Sequence, residues 1–380
     1  MENFEFFSPT RVIFGKGTIS RIGDEVSRHG CRRVLMIAGG GSIKGNGVYD
    51  RTVQSLKSAG IEIVEFWGVR PNPVLSTVYA AIQMARETQV EAILAVGGGS
   101  VVDSAKAVAG GFYLKDIWEA FENKVIIETA LPLFVILTLS ATGSEMNAFA
   151  VVTKEEGNKK WAVGSPVLFP VISIIDPSVQ IGLPWPQTVN GGVDALSHIM
   201  EFYFLGRVEE TTIALDESLM KTIIRTLDRL QADPGDYDNR ANLAWAATLA
   251  LNGVSGAALQ EGDWATHMIE HGLSALHPEV AHATGLGILF PAWIQHVEYC
   301  NPLQFRRWAE RVWETASVEE GLIRMKNTLK RWKAPTALSE VGVKRDEIKS
   351  IADNVMLRAP LGKLKSLSRQ DVEAILELAW

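Results

Sequence analysis

The chain has 380 residues and a net charge of −7, from 44 acidic and 37 basic side chains; it is long enough for two domains, and no basic block is present that could track a phosphate backbone. Nucleic acid is therefore excluded as a partner. The N-terminus MENFEFFSPTRVIFG carries acids where a secretory leader carries bases, and uncharged runs such as TALPLFVILTLSATGS are too short or too polar to span a bilayer, so a cytoplasmic protein without membrane attachment is expected. With only Cys31 and Cys300 there is neither a disulfide framework nor a CxxC site, which leaves metal chemistry to the seven histidines.

In chain order, the β-branched runs TRVIFG (10–15), RVLMIA (33–38), IEIVEFW (61–67), EAILAVG (91–97), LFVILT (133–138) and VISIID (171–176) read as strands. Between them VYDRTVQSLKSAG, PVLSTVYAAIQMARETQ and SVVDSAKAVAGGF read as helices. RVLMIA and EAILAV are almost continuously apolar, as parallel strands covered on both faces are. From about Gln187 the helical period runs on without a convincing strand, through DALSHIMEFYF, ESLMKTIIRTLDRLQA, NLAWAATLALNGV and DVEAILELAW. The Pro-rich LPWPQ at 183–187 marks the expected boundary between an α/β domain, 1–185, and an all-helical domain, 186–380.

AVGGGSVVDSAK (95–106) sets three glycines and Ser100 between a buried strand and a helix. There, bare backbone and the unpaired N–H groups of a helix start suit a pyrophosphate; an N-cap at a tight turn is the alternative. The spacing is not the GxGxxG of the dinucleotide fingerprint. A second copy, IAGGGSIKGNG (37–47), ends the strand RVLMIA where an acid would receive the ribose 2′-hydroxyl of NAD. Its tip offers Gly39, Gly40, Gly41, the hydroxyl of Ser42 and the cation of Lys44, with no carboxylate before Asp50, so a bound dinucleotide is expected to be NADP. TLSATGSEMNAF (138–149) suits either the floor of a nicotinamide crevice or a capping box opening a short helix.

GGVDALSHIMEF (191–202) places Asp194 and His198 one helical turn apart, and WATHMIEHGLSALHPEVAHATG (264–285) repeats that spacing with His267 and His271 before Pro278 breaks the helix. With His282 from the turn beyond, Asp194, His198 and His267 make a three-histidine, one-carboxylate shell for a divalent metal: Fe(II), Zn, Mn, Co or Ni. His29 and His296 are read as structural.

Together GGGSVVDSAK, TLSATGSEMN, DALSHIMEFY and HMIEHGLSALHPEVAH resemble the iron-containing (group III) alcohol dehydrogenases, most closely their NADPH-dependent butanol dehydrogenase and aldehyde reductase branch, nearly end to end. The resemblance implies a Rossmann-like parallel-sheet domain followed by an all-α domain, the architecture also of dehydroquinate synthase, and a homodimer. It carries the metal onto Asp194, His198, His267 and His282 and the pyrophosphate onto Gly98, Gly99 and Ser100, with Asp103 close to the cofactor. Thr138, Thr142, Asn147 and Lys160 match positions lining the nicotinamide and its ribose. One departure stands out: His267 and His282 are fifteen apart where the family usually has fourteen, which leaves His277 as a spare candidate.

The implied reaction is reversible hydride transfer between NADP(H) and a small aldehyde or primary alcohol, with the metal as Lewis acid and His271, one turn from His267, as proton relay. Three other readings compete: a dehydroquinate synthase-like lyase, glycerol dehydrogenase-like polyol oxidation, and a non-catalytic nucleotide sensor. The lyase should line its pocket with Lys and Arg, whereas Met146, Phe149, Trp264 and Leu259 are apolar. The sensor has no need of the metal-ligand set.

Overall fold

The structure, a computed structural model, describes residues 1, 3–259 and 261–380. It divides into two compact units, one of Ser8–Leu183 with Asp233–Thr248, the other of Met1–Phe7, Pro184–Ala232 and Leu249–Trp380. The helix Tyr237–Ala250 thus belongs mainly with the first unit, although its sequence lies in the helical stretch. No helix among the described residues is long and apolar enough to cross a membrane.

The first unit is built on β1 (Arg11–Phe14), β2 (Arg33–Ala38), β3 (Glu62–Phe66), β4 (Ala92–Gly97), β5 (Leu133–Leu137), β6 (Phe149–Lys154), β7 (Lys159–Gly164) and β8 (Ile172–Ile175). Six of these form one all-parallel sheet in the order β1-β8-β5-β4-β2-β3. Side chains alternate across it. Leu35, Ile37, Ile93, Ala95, Leu133 and Val135 enter one core, with the helices Leu75–Glu87 and Gly99–Gly111; Val34, Met36, Leu94, Val96, Phe134 and Ile136 enter the other, with Ile22–Arg28 and Val48–Ser58. Both faces being covered is why these strands read as unbroken apolar runs.

The strands expected from the sequence are all present, shortened by a residue or two at some ends. The antiparallel hairpin β6–β7 was not expected; it turns through Gly157 (φ 80°) and Asn158 (φ 48°). In the second unit the described residues form helices, the only strand-like pairing being a bridge between Leu361 and Leu367.

Strand order brings the three loops of the sequence motifs into a row. Ala38 of β2 lies opposite Val96 of β4, and Gly97 opposite Leu137 of β5, so the segments after residues 38, 97 and 137 emerge side by side, roughly 5 Å apart per strand. Gly99 is where two of them touch: a Cβ there would lie 2.6 Å from both Cγ2 and Oγ1 of Thr142. Gly99→Ala is therefore expected to destabilise the protein by about 1–3 kcal/mol through overpacking. Thr142→Ala in the same chain should restore most of the loss, because it removes both clashing atoms. Urea unfolding of the two single variants and the double variant checks this non-additivity.

Candidate metal centre

The helix Trp185–Tyr203 is buried along nearly its whole second half, and Asp194, His198 and Glu201 follow one another at spacings of four and three on its inner side. The helix Ala265–Leu276 presents His267, Glu270 and His271 in the same way, and His282 is the first residue of the helix His282–Val297. Donor atoms of Asp194, His267 and His282 all lie within 4.8 Å of one another. The Oδ1 of Asp194 is 3.8 Å from His282 Nε2 and 3.9 Å from His198 Nδ1. The rings of His198 and His267 stack at 4.8 Å.

Two buried carboxylates orient this group from behind. Glu201 Oε1 receives His267 Nδ1 at 2.6 Å and the His267 backbone N–H at 3.1 Å, while its Oε2 receives the Trp264 N–H at 2.6 Å. Trp264, the N-cap of that helix, has φ 62° and caps nothing with its own side chain, so Glu201 from the neighbouring helix supplies the missing acceptor at the positive helix end. Glu270 Oε2 takes His282 Nδ1 in the same manner. In both pairs Nδ1 faces a carboxylate, which turns Nε2 the other way, as in carboxylate–histidine–metal triads.

Burial shapes the protonation of these groups. Desolvation, and secondarily the neighbouring His267, hold His198 well below its ordinary value, so it stays a neutral imidazole able to coordinate. Desolvation pushes Glu201 up to about 8, against the two backbone N–H groups that favour its anion. The His198 imidazole is buried, and its contact with the Asp194 backbone only partly offsets the desolvation. Ligand atoms held about 2.0–2.2 Å from one ion stand roughly 3–3.5 Å apart, so the 3.8 Å between Asp194 and His282 needs to close by only a few tenths of an ångström, whereas His198, 3.9 Å from Asp194, lies outside the group of three whose donor atoms converge. The donor set fits a divalent cation.

His277 lies outside this group. It is the C-cap of the helix Ala265–Leu276, with Nδ1 3.2 Å from Glu279 and Nε2 3.7 Å from Glu347. His271 is buried beside it all: its ring is 5.4 Å from that of His282, and with Glu270 and His282 it forms a second potential ligand group. Trp264 packs edge-on against His267 and joins Phe202, Leu251 and Leu259 in an apolar cluster. Met146 and Phe149 belong to the other unit. His29 bonds to Glu25 O and His296 to Asp371.

In the sheet unit, Gly98 is the N-cap of the helix Gly99–Gly111, which contains Ser100. Gly39 and Gly40 sit on the turn after β2, and Ser42 opens the one-turn helix Ser42–Gly45 behind the N-cap Gly41 at φ 106°. Thr138 follows β5, its N–H bonded to Gly97 O. Asp103 is occupied internally: its carboxylate accepts from Ser144 Oγ (2.6 Å) and Val151 N–H (3.1 Å), and burial raises its pKa. Asn147 Nδ2 donates to Thr142 O, and Lys160 Nζ to Asn72 Oδ1.

Sequence reading missed Glu201 and Glu270, each three residues after a candidate ligand in the repeated pattern His-x-x-Glu. It also missed Lys106, fully buried, whose Nζ donates to Asn147 Oδ1 (2.9 Å) and Phe149 O (2.8 Å) and whose pKa desolvation pushes down to about 7. Its spacing from Asp103, one helical turn, was the available signal.

Residues 9–177 match the sequence family described as iron-containing alcohol dehydrogenase, and residues 188–380 the C-terminal part of the same family. The chain is 38% identical to the probable NADH-dependent butanol dehydrogenase 1 of Bacillus subtilis, over 99% of both chains. It is 36% identical to the NADPH-dependent aldehyde reductase YqhD of Escherichia coli, over 92% of both. The crystal structure of NADH-dependent butanol dehydrogenase A from Thermotoga maritima is similar with a TM-score of 0.98 at 50% identity, covering 100% of this chain and 99% of the other.

The geometry separates the two histidines of the 277–282 loop. His282→Ala is expected to cut bound metal at least about tenfold, and His277→Ala to leave it unchanged. Metal content measured by mass spectrometry after dialysis checks the ranking, and the reverse order would move the ligand to His277.

Proposed function

Because the chain belongs to the iron-containing alcohol dehydrogenase family, we propose that it transfers hydride reversibly between NADP(H) and a small aldehyde or primary alcohol, as a butanol dehydrogenase or aldehyde reductase. The family implies a divalent metal and a nicotinamide cofactor. The observation that carries the reading is the convergence of the buried Asp194 and His267 with the partly exposed His282, His198 being stacked on His267. These four residues would hold the metal, proposed to be Fe(II). When bound, it supplies a Lewis acid for the substrate oxygen, while the nicotinamide supplies or accepts hydride.

The protein's own groups do the rest. Glu201 and Glu270 fix the imidazoles of His267 and His282 through Nδ1, so that ring orientation is set before any ligand arrives. Trp264, Phe202 and Leu259 give the neighbourhood of these histidines an apolar character suited to an alkyl chain and unsuited to a phosphorylated acid, which favours the dehydrogenase over a dehydroquinate synthase-like lyase. His271, beside His282, is the proposed group that takes or returns the hydroxyl proton. Gly98, Gly99 and Ser100 would receive the pyrophosphate at the start of their helix; Thr138, Thr142, Asn147 and Lys160 would line the nicotinamide and ribose. Asp103 would act from beneath, through its bonds to Ser144 and Val151. The protein is proposed to work as a homodimer.

The relatives are named for both nucleotides, so the choice of NADP rests on the tip after β2. Gly39, Gly40 and Ser42 offer space and a hydroxyl there, with no carboxylate to meet a ribose diol. A Cβ on Gly39 would approach Val69 O at 3.4 Å, ordinary contact, so an aspartate can be built there. The purified enzyme is expected to oxidise NADPH with butanal in preference to NADH, and Gly39→Asp to shift the ratio of kcat/KM values toward NADH by about tenfold or more, since a like charge worth one pKa unit costs about 1.4 kcal/mol. Equal use of both nucleotides by the wild type would contradict the NADP assignment.

A further inference from the structure

Strand β3 runs parallel to β2 with Phe66 opposite Ile37, and beyond it the Gly68 N–H donates to Gly39 O (3.2 Å) and the Val69 N–H to Ala38 O (3.3 Å). Trp67 therefore stands alongside the glycine tip. Its ring takes the ammonium of Lys44 at 4.1 Å from the centroid, and the ring of Tyr49 lies 5.3 Å from the same nitrogen. Behind them the two rings share one acid: Tyr49 Oη donates to Glu65 Oε1 (2.7 Å) and Trp67 Nε1 to Glu65 Oε2 (2.8 Å).

This arrangement has an electrostatic consequence. Each oxygen of Glu65 is engaged by a ring donor, and the Lys44 ammonium rests against the two ring faces. Ring faces hold a cation in place without cancelling its charge. Lys44 is exposed, two residues from Ser42, on the turn that lacks a carboxylate. A dianionic phosphate gains far more from such a cation than a ribose hydroxyl does.

We infer that Trp67, backed by Tyr49 and Glu65, holds Lys44 in position to meet the 2′-phosphate of NADP, making Trp67 a positioning residue for nucleotide preference. The inference rests on the NADP reading and extends it to residues outside the glycine turn. It can be tested without metal, nicotinamide or turnover, by calorimetric titration of the full-length protein with adenosine 2′,5′-bisphosphate and with AMP. The wild type is expected to bind the bisphosphate at least about tenfold more tightly than AMP. Lys44→Met and Trp67→Leu should each bring that ratio toward one with AMP affinity unchanged, the double variant should add nothing further, and Trp67→Phe, which keeps a ring face, should retain most of the ratio. Tyr49→Phe frees one Glu65 oxygen to pair with Lys44 and should lower the ratio too; it decides the matter if Trp67→Leu does not fold. If Trp67→Leu keeps the wild-type ratio while Lys44→Met loses it, or if Trp67→Leu weakens both ligands equally, Trp67 does not position the cation. A wild type that binds the two probes alike would overturn the NADP reading itself, and the inference with it.

Discussion

Taking Asp194, Glu201 and Glu270 out of water, each no more than 2% exposed, costs several kcal/mol apiece unless positive charge or donors meet them. Histidine N–H groups and backbone amides satisfy part of this demand: Glu201 alone accepts three such bonds. Burial also favours the uncharged forms, pushing Glu201 up to about 8 and holding His198, 3.9 Å from Asp194, as a neutral imidazole. A divalent cation held among these side chains, as proposed, would offset that penalty, because it binds neutral imidazole and anionic carboxylate together and favours the ionised acid. Most of what surrounds the centre follows from this: a helix cap borrowed from another helix, two histidines locked through Nδ1, and aromatic side chains packed against their rings.

In the proposed function the sheet unit would meet a different demand, that of bringing backbone close to the anionic groups of a nucleotide. Parallel strands β5, β4 and β2 are neighbours, so their three following loops stand in a row without any long-range ordering beyond the sheet itself. Beneath one of these loops lies a second buried polar cluster, in which Lys106, Asp103, Ser144 and Asn147 are mutually bonded or close in charge. Asn147 links the two levels, accepting from Lys106 while donating to Thr142 O, so the conformation of the 138–147 segment depends on a lysine that never reaches solvent.

Much of this was legible in the sequence, for physical reasons that differ by element. Parallel strands covered on both faces must be apolar throughout, so RVLMIA and EAILAV announce themselves within a residue or two of β2 and β4. The hairpin β6–β7 was not read: its strands, FAVVTK and KKWAVG, are partly exposed and carry lysines at the turn, so neither shows the unbroken apolar run of the sheet strands. The histidines stood out because four fall within one short stretch. Glu201 and Glu270 did not, since a glutamate in a helix is ordinarily a solvated surface residue and only the tertiary packing shows that these face inward. The partnerships cross, Glu201 serving His267 and Glu270 serving His282, and sequence spacing carries no record of contacts made between helices.

The central claim is that the buried carboxylate–histidine group is a metal centre on which reduction depends, separate from the groups that bind nucleotide. Asp194→Ala tests it most directly, with metal content, NADPH oxidation in the presence of butanal, and NADP binding measured on one preparation purified without chelator. The account expects metal and turnover to be lost together, with nucleotide affinity kept within a few-fold because the glycine turns lie in the other unit. Full metal content with undiminished turnover would contradict it.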